Sequence, residues 1–392
     1  MAAAALHALV ALAMHWVAFV AGDVSSRPHV VFILVDDLGY NDVSWHNPAV
    51  KMPNIASLAA EGVTLEQSYV LPVCTPTRSA ILTGRYPYTI GRQSSALKPL
   101  RPTGLTLNAT LLPEALKTVG YHTHAVGKWH LGFCKWQYTP TYRGFDSFFG
   151  FYTGGQKYYT KIKKADLKLD GGRKLVVAGY DFRSDKKVFF PPEEEYSSLT
   201  FARRARDVIL THGSSADGPL FLYLPFQSVH GPLQVPERYF NMYRGIDDTN
   251  RRIFLGMVSA LDDAVGIVVS ALRSSGLYNN SVIVFTSDNG GSTKGAGSNW
   301  PLKGHKSTLW EGGVRVPGFV HSPLLSSPGV YRGLFHAVDW FATIAGLAGA
   351  AVPPEVDGVD QWAALAGREA PARDSFVYNI AYSQDALKAA VR

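Results

Sequence analysis

The sequence predicts an α/β fold in which a layered, largely parallel mixed sheet is flanked by helices. Three short apolar runs rich in β-branched residues, at 29–35, 220–224 and 282–286, have the composition of strands buried on both faces of such a sheet. Between the second and third runs, residues 251–272 carry apolar side chains at helical spacing. Alternation of buried strands and helices is typical of α/β proteins.

The composition is that of an ordinary folded protein. The chain has 392 residues, of which 46% are hydrophobic and 18% charged, so we exclude a disordered chain and expect one large domain or two smaller ones. A net charge of +7 favours anionic partners such as acidic glycans, sulfated small molecules or nucleic acid. No basic–aromatic motif of the kind that binds nucleic acid accompanies the charge, and we expect no nucleic-acid partner.

The first 22 residues are interpreted as a signal peptide. Residues 2–20 are apolar apart from two histidines, and the small residues Ala21 and Gly22 precede a polar segment. The run lacks a preceding Lys or Arg and is nearly long enough to span a bilayer, so a membrane anchor is the alternative. We judge no other stretch to be long and apolar enough to span a membrane. On a secretory route, the sequons at Asn108 and Asn279 would be sites for N-glycans.

The first half of the chain shows two helix starts. Residues 53–62 begin with Pro and end with Gly, which predicts a short helix after the first strand. A second helix is predicted at Cys74, because Pro76 suits a first turn and residues 78–82 continue it. Cys74 would then lie at a helix N-terminus, where free N–H groups and the helix dipole favour an anion. Arg78 follows about one turn later and can reach back towards the cysteine.

Polar side chains follow each of the three predicted strands: Asp36 and Asp37, then His230, then Asp288 and Asn289. The carboxyl ends of the strands form the ligand-binding edge of an open α/β sheet, so these five residues are expected to meet there. Taken singly, each of them also suits an ordinary turn. Carboxylate and amide oxygens are hard ligands that favour Ca²⁺ or Mg²⁺, and buried carboxylates need a compensating cation.

The segment 157–187 is strongly basic, with ten Lys or Arg against four Asp. We interpret it as a solvated surface loop or hairpin. The alternative is a rim that attracts a polyanionic substrate.

Only two cysteines, Cys74 and Cys134, are present. Considered without its context, Cys74 could be a buried structural cysteine or a thiolate nucleophile paired with a histidine. Its context, Cys74-Thr-Pro-Thr-Arg78, resembles the Cys-x-Pro-x-Arg signature of the type I sulfatases, and residues 72–84 match the extended pattern. A second sulfatase signature is matched at 120–130. The resemblance covers roughly residues 28–365, with further blocks at 36–42, 227–230, 287–291 and 306–315.

The resemblance implies an alkaline-phosphatase-like (sulfatase) fold. Among the subfamilies, residues 230–236 and 299–304 look most like arylsulfatase B and its relatives, arylsulfatases I and J. The resemblance places a catalytic domain at 23–370. Residues 371–392 would begin a C-terminal antiparallel subdomain that is otherwise mostly missing and that covers part of the pocket in relatives. Relatives of the arylsulfatase B type also carry disulfides beside the site, whereas this chain lacks the partner cysteines and Cys134 is expected to be unpaired.

The resemblance also implies the roles of the site residues. A formylglycine-generating enzyme would oxidise Cys74 to formylglycine (3-oxoalanine), whose hydrate attacks the sulfur of the ester and then expels sulfate. Calcium, with Mg²⁺ as the alternative, would be held by Asp36, Asp37, Asp288, Asn289 and the modified residue 74. Arg78, Lys128 and Lys306 would balance negative charge, while His130 would take a proton during elimination and His230 would protonate the leaving oxygen.

We therefore expect a hydrolase of sulfate esters, acting on a glycosaminoglycan that carries a group such as N-acetylgalactosamine 4-sulfate, or on another aryl or sugar sulfate. We expect it in the secretory pathway, with a lysosomal or extracellular destination. One alternative is a phosphodiesterase or phosphonate hydrolase of the same superfamily. The other is an inactive secreted protein that binds sulfated glycans.

Overall fold

The computed structural model describes residues 27–93, 95–168, 173–192, 194–215, 217–383 and 386–392. The segment interpreted as a signal peptide lies outside these residues. Fourteen strands are present in the described part of the chain: β1 His29–Val35, β2 Val63–Tyr69, β3 His122–Lys128, β4 Ser147–Phe151, β5 Ile162–Lys168, β6 Lys174–Tyr180, β7 Arg183–Ser184, β8 Lys187–Val188, β9 Leu220–Pro225, β10 Ser281–Ser287, β11 Gly318–His321, β12 Gly329–His336, β13 Val377–Ser383 and β14 Ala386–Val391.

Nine α-helices accompany them in the same described part: α1 Pro53–Glu61, α2 Cys74–Thr83, α3 Leu112–Lys117, α4 Ser197–Ser215, α5 Glu237–Phe240, α6 Thr249–Ser274, α7 Glu311–Val314, α8 Asp339–Ala348 and α9 Trp362–Leu365. Short 3-10 turns lie at Trp136–Tyr138, Pro140–Tyr142, Asn241–Tyr243, Tyr278–Asn280 and Thr293–Gly295.

Ten strands form one mixed sheet in the order β12-β2-β11-β10-β1-β9-β3-β4-β7-β8. Its centre is parallel, because β1 pairs in parallel with both β10 and β9, and β3 pairs in parallel with β9 and β4. The strand β11 runs antiparallel to β10 and β2, and the short β7 and β8 are antiparallel at the other edge. The predicted fold class, a largely parallel mixed sheet flanked by helices, is confirmed.

Both faces of the sheet are covered, which explains why the central strands are apolar along their whole length. Alternate residues of β1 point to opposite faces: Phe32 packs in the core on one side and Ile33 in the core on the other. Trp340 of α8 lies edge-on to Phe32, with 5.5 Å between the ring centroids. On the second face, α6 buries Leu261 and its apolar neighbours against the sheet.

The long helix α6 differs from the sequence predictions in its first residue and in being apolar enough, by composition, to span a membrane. It begins at Thr249 and not at residue 251, because Asp248 caps it by accepting hydrogen bonds from the N–H groups of Asn250 and Arg251 at 2.8 and 3.1 Å. By length and composition it also qualifies as a membrane span, although no span was expected outside the N-terminus. However, 72% of its most apolar window is buried inside the protein, so it is a core helix that needs no membrane.

The described part of the basic segment 157–187 forms two antiparallel hairpins, β5–β6 and β7–β8, so the predicted hairpin is present. Lys161 and Phe182 of this segment are buried, however, so it is not solvated throughout. A third hairpin, β13–β14, is formed near the C-terminus. Tyr378 of this hairpin stacks on Tyr69 at the end of β2, with 6.1 Å between ring centroids. The hairpin thereby packs near the edge of the sheet where the carboxyl ends of the parallel strands lie.

Candidate active site

Three neighbouring strands deliver the candidate residues to one edge of the sheet. The backbone N–H of Asp36, just after β1, donates to Ser228 O at 2.8 Å, and Asp288 N, just after β10, donates to Val35 O at 2.9 Å. Asp36 O in turn accepts from Val229 N at 2.6 Å. These bonds continue the pairing of the central strands beyond their ends, so the segments after β9, β1 and β10 are held side by side.

The three carboxylates at this edge are paired with three cations. Arg78 donates to Asp288 Oδ2 from Nε at 3.0 Å and from Nη2 at 2.8 Å. Lys128, the last residue of β3, approaches Asp36 Oδ2 to 2.5 Å, and Lys306 donates to Asp37 Oδ1. Burial alone would raise the pKa of Asp36, but the positive charges around it, that of Lys128 above all, hold the pKa below its usual range.

Cys74 is the first residue of α2 and is only 2% exposed. The helix starts there because Val73 is extended, with φ −149° and ψ 160°, and it ends at Gly84, whose left-handed φ of 65° suits glycine. Cys74 Sγ lies 3.6 Å from Asp36 Oδ1 and 3.7 Å from Lys306 Nζ.

Burial, followed by the charge of Asp288, raises the pKa of the Cys74 thiol to about 12. Without a bound cation the side chain is therefore a neutral thiol at physiological pH, which disfavours a thiolate nucleophile. Cys134 is exposed and unpaired with Cys74.

The donor set fits a hard divalent cation. One ligand atom from each of Asp36, Asp37, Cys74 and Asp288 lies within 4.8 Å of the others. Asn289 Nδ2 donates to Asp37 Oδ1 at 2.7 Å and to Gly290 O at 3.0 Å, which leaves the buried Asn289 Oδ1 without a hydrogen-bond partner in the described structure. A buried orphan oxygen beside three carboxylates is what a bound cation would satisfy. The Cys74 sulfur is the one soft donor, and it suits Ca²⁺ poorly.

His130 lies two residues after β3 in a left-handed conformation, with φ 58°. Its Nε2 bonds to Leu97 O at 2.9 Å, so Nε2 carries the proton and the buried Nδ1 has no hydrogen-bond partner among the described residues. Burial, followed by the charge of Lys128, lowers the pKa of His130 well below its ordinary value, and the ring is neutral. Gly154 makes room for it, because a Cβ at that position would lie 2.5 Å from His130 Cε1.

His230 approaches the site from the loop after β9. Its Nδ1 lies 2.7 Å from Gly231 O, and its Nε2 lies 4.0 Å from Asp37 Oδ2. The ring is about a quarter exposed and lines the cleft. His230 is therefore the more accessible of the two histidines.

A cleft of about 710 Å³ opens over Cys74, His130, His230 and Lys306, so all the predicted residues lie in or just beneath one cavity. Sequence reasoning missed several wall residues, namely Leu97, Lys98, Lys163, Asn379 and Lys388. The segment around Leu97 is held over the site because Leu97 N bonds to Thr75 Oγ1 at 3.0 Å. The basicity of 157–187, from which the alternative of a substrate-attracting rim was drawn, was the signal that pointed towards Lys163.

Comparison with known proteins agrees with this geometry. The sulfatase family model matches residues 28–350. The chain is 44% identical to arylsulfatase J of Mus musculus over 91% of its own length, but it spans only 58% of that protein. It is 32% identical to arylsulfatase A of Bos taurus, covering 92% of this chain and 72% of that protein.

Among solved structures, the crystal structure of Ps i-CgsB in complex with k-i-k-neocarrahexaose is similar with a TM-score of 0.84 and 31% identity. The match covers 93% of this chain and 82% of that one. It confirms the sulfatase type of α/β fold that the sequence motifs imply. With the family model matched over most of its length and relatives above 30% identity, the chain belongs to the sulfatase family.

Proposed function

We propose that this protein hydrolyses sulfate esters, with the nucleophile made from Cys74 and with Ca²⁺ bound at the carboxylate edge. The proposal depends chiefly on the position of Cys74, which lies at the N-terminus of α2 and within 4.8 Å of three carboxylate ligand atoms. A thiol with a raised pKa is a poor nucleophile there. An oxygen at the same place would complete a set of hard ligands, which favours oxidative modification of the residue.

The charges around Cys74 support a cation bound together with an anion. Asp36, Asp37 and Asp288 are already balanced by Lys128, Lys306 and Arg78. A divalent cation would leave two positive charges in excess in a buried site, and such charge is stable only when it is compensated. An anionic sulfate ester supplies one of the two compensating negative charges, so substrate and cation should strengthen each other's binding.

When present, formylglycine hydrate supplies an oxygen nucleophile and Ca²⁺ supplies Lewis-acid polarisation. The chain's own groups orient and stabilise the ester. Lys128, Lys306 and Arg78 hold their positive charges beside residue 74, where negative charge accumulates as the sulfur–oxygen bond breaks. Because these cations are fixed by buried carboxylates, they need little reorganisation during the reaction.

The two histidines are assigned different proton transfers. His230 lies at the open side of the cleft and its Nδ1 bonds to Gly231 O, so Nε2 of the imidazolium form is the atom that can give a proton to the leaving alcohol. His130 is neutral, and its buried Nδ1 is free to accept a proton. It is therefore the candidate base for the step that releases sulfate.

The proposed substrate is a sulfated sugar, with an N-acetylgalactosamine 4-sulfate group as the first candidate. Arylsulfatase relatives and the neocarrahexaose complex of Ps i-CgsB support the class of ester. We also propose maturation by a formylglycine-generating enzyme in the secretory pathway, with a lysosomal or extracellular destination. Asn108 and Asn279 are both exposed, as N-glycan carriers must be.

The test compares kcat/KM for 4-nitrophenyl sulfate, bis(4-nitrophenyl) phosphate and a phenylphosphonate ester, using protein made in a secretory host. The proposal predicts that the sulfate is the preferred substrate and that Cys74→Ala and Cys74→Ser abolish its turnover. Preference for the phosphorus esters would favour a phosphodiesterase or phosphonate hydrolase. Glycan binding without turnover of any ester would favour an inactive binding protein.

A further inference from the structure

Among the described residues, Lys163 differs from the other cations of the site in having no carboxylate within ion-pair distance. Arg78, Lys128 and Lys306 each bind a carboxylate beside Cys74. Lys163, on β5, is half-buried and lines the same cleft, yet in the described part of the chain no carboxylate lies within ion-pair distance of it. Burial, followed by the charge of Lys128, lowers the pKa of Lys163. A partly desolvated amine in this state is stabilised when an anion arrives.

The rest of the cleft wall is positive as well. Lys98 and Lys388, from segments far apart in the sequence, line the cleft with Lys163, and no Asp or Glu of the described residues lines it. An adjoining pocket of about 300 Å³ shares Leu97 and Lys98 with the cleft and adds Arg101. A concave wall that carries one sign of charge concentrates counter-ions at its surface. The wall therefore favours binding of anionic groups of the substrate other than the ester that reacts.

We propose that Lys163, Lys98 and Lys388 form a second anion subsite, which binds a sulfate or carboxylate of the substrate other than the ester that is hydrolysed. The inference rests on the proposed sulfatase function and narrows its substrate class to glycans with at least two anionic groups. The ester being cleaved already has Arg78, Lys128 and Lys306 around it, so Lys163, which forms no ion pair with a described carboxylate, is available for a different group.

The chain offers a matched control for Lys163. Lys164 is the next residue of β5 and is exposed, and successive side chains of a strand point to opposite faces. Lys164→Ala therefore removes the same charge from the same hairpin without touching the cleft. Lys163→Arg keeps the positive charge at the subsite and should restore part of what Lys163→Ala loses.

The experiment measures kcat/KM on three substrates: N-acetylgalactosamine 4-sulfate, its 4,6-disulfate, and a disaccharide of the 4-sulfate with glucuronate. The native protein should prefer the doubly charged substrates, and the last two distinguish a sulfate from a carboxylate as the second anion. In Lys163→Ala the preference should fall about tenfold, as for loss of one charge-assisted contact, and in Lys164→Ala it should not change. An unchanged preference in Lys163→Ala overturns the inference. So does an equal loss on all three substrates, which would assign Lys163 to the cleaved ester.

A binding measurement separates this inference from the proposed activity. Calorimetry with the 4,6-disulfate and the Cys74→Ala variant needs no turnover, and adding Lys163→Ala should weaken binding about tenfold. Absence of turnover in the native protein together with this loss of binding would overturn the activity and keep the subsite. Turnover of sulfate esters by the native protein, without weaker binding in the Lys163→Ala variant, would keep the proposed activity and overturn the subsite.

Discussion

At the scale of single residues, the site depends on buried ion pairs that are costly to break. Arg78 and Asp288 are both fully buried, and two of the guanidinium nitrogens reach one carboxylate oxygen. Removing one partner of such a pair leaves the other charge in a medium that cannot solvate it. The same pairs position the cations that would stabilise the reaction, so stability and activity should fail together here.

Asp288→Asn should lower the free energy of unfolding by about 3–5 kcal/mol, because it removes the carboxylate bound to Arg78 and leaves only Asp36, at 3.9 Å, near that buried charge. Glu66→Gln is the comparison, since Glu66 pairs with Arg332 in an exposed pair and its loss should cost only about 0–1 kcal/mol. Urea denaturation of both variants measures the difference. Similar values for the two would show that the buried pair adds nothing to folding.

The glycine at position 154 leaves the space that the His130 ring occupies. Gly154→Ala would place a methyl group 2.5 Å from the His130 ring, which has to move. We expect kcat/KM to fall about 100-fold through misplacement of the imidazole, while the protein stays folded. Gly245→Ala is the control, because a Cβ there meets nothing within 4 Å. Normal activity of Gly154→Ala would remove His130 from the proposed mechanism.

At the scale of elements, His29 joins the starts of two central strands. Its Nδ1, at the beginning of β1, accepts a hydrogen bond from Leu220 N, at the beginning of β9, at 3.0 Å. Its ring lies edge-on to His212, with 5.5 Å between centroids. Burial, followed by the charge of His212, lowers the pKa of His29 to about 4. Protonation would turn an accepting nitrogen into a donor that faces another donor.

The pKa of His29 is about 4 in the folded state and about 6.5 in the unfolded state, so the unfolded state binds a proton more readily. The fold therefore keeps its full stability above about pH 6.5 and loses stability as the pH falls towards 4. His29→Asn keeps an acceptor near the Nδ1 position and cannot be protonated. Its melting temperature should therefore fall less than that of the native protein between pH 6.5 and 4. The exposed His305→Asn should leave the pH dependence unchanged. Parallel curves for native protein and His29→Asn would contradict this role.

The sequence predicted those strands and helices that a short continuous stretch of residues specifies by its own pattern. The strand β1 has the predicted bounds, β9 and β10 were placed to within one residue at each end, and Cys74 begins a helix as expected. The strand β3 was not predicted because its sequence, His-Thr-His-Ala-Val-Gly-Lys, has no continuous apolar run. It is buried by pairing with β4 and with β9, and β9 lies far from it in sequence.

In the site, too, features specified by neighbouring residues could be predicted and features that depend on tertiary packing could not. Residues that follow a predicted strand, such as Asp36 and Asp288, could be placed at one edge from the sequence alone. Motif resemblance was needed for His130 and Lys306, because their approach depends on loops. The cleft walls could not be predicted, since Leu97, Lys163 and Lys388 come together only through tertiary packing.

At the scale of the whole molecule, cation binding should be visible in stability. A ligand that binds only the folded state raises the free energy of unfolding by about 2.7 kcal/mol at a concentration of about 100 Kd. Calcium, with magnesium as the comparison, should therefore raise the melting temperature of protein stripped with a chelator. Asp37→Asn should abolish the shift, because it removes one ligand. A shift with zinc alone would contradict the hard-ligand assignment.

Cys74 is proposed as the precursor of an oxygen nucleophile, and mass spectrometry of the peptide that contains it tests this directly. Protein purified from a secretory host should carry an aldehyde at position 74, and an aldehyde-specific probe should label that peptide alone. The Cys74→Ala peptide should remain unlabelled. A free thiol at position 74, in cells that modify a control sulfatase made alongside, would contradict the proposed mechanism.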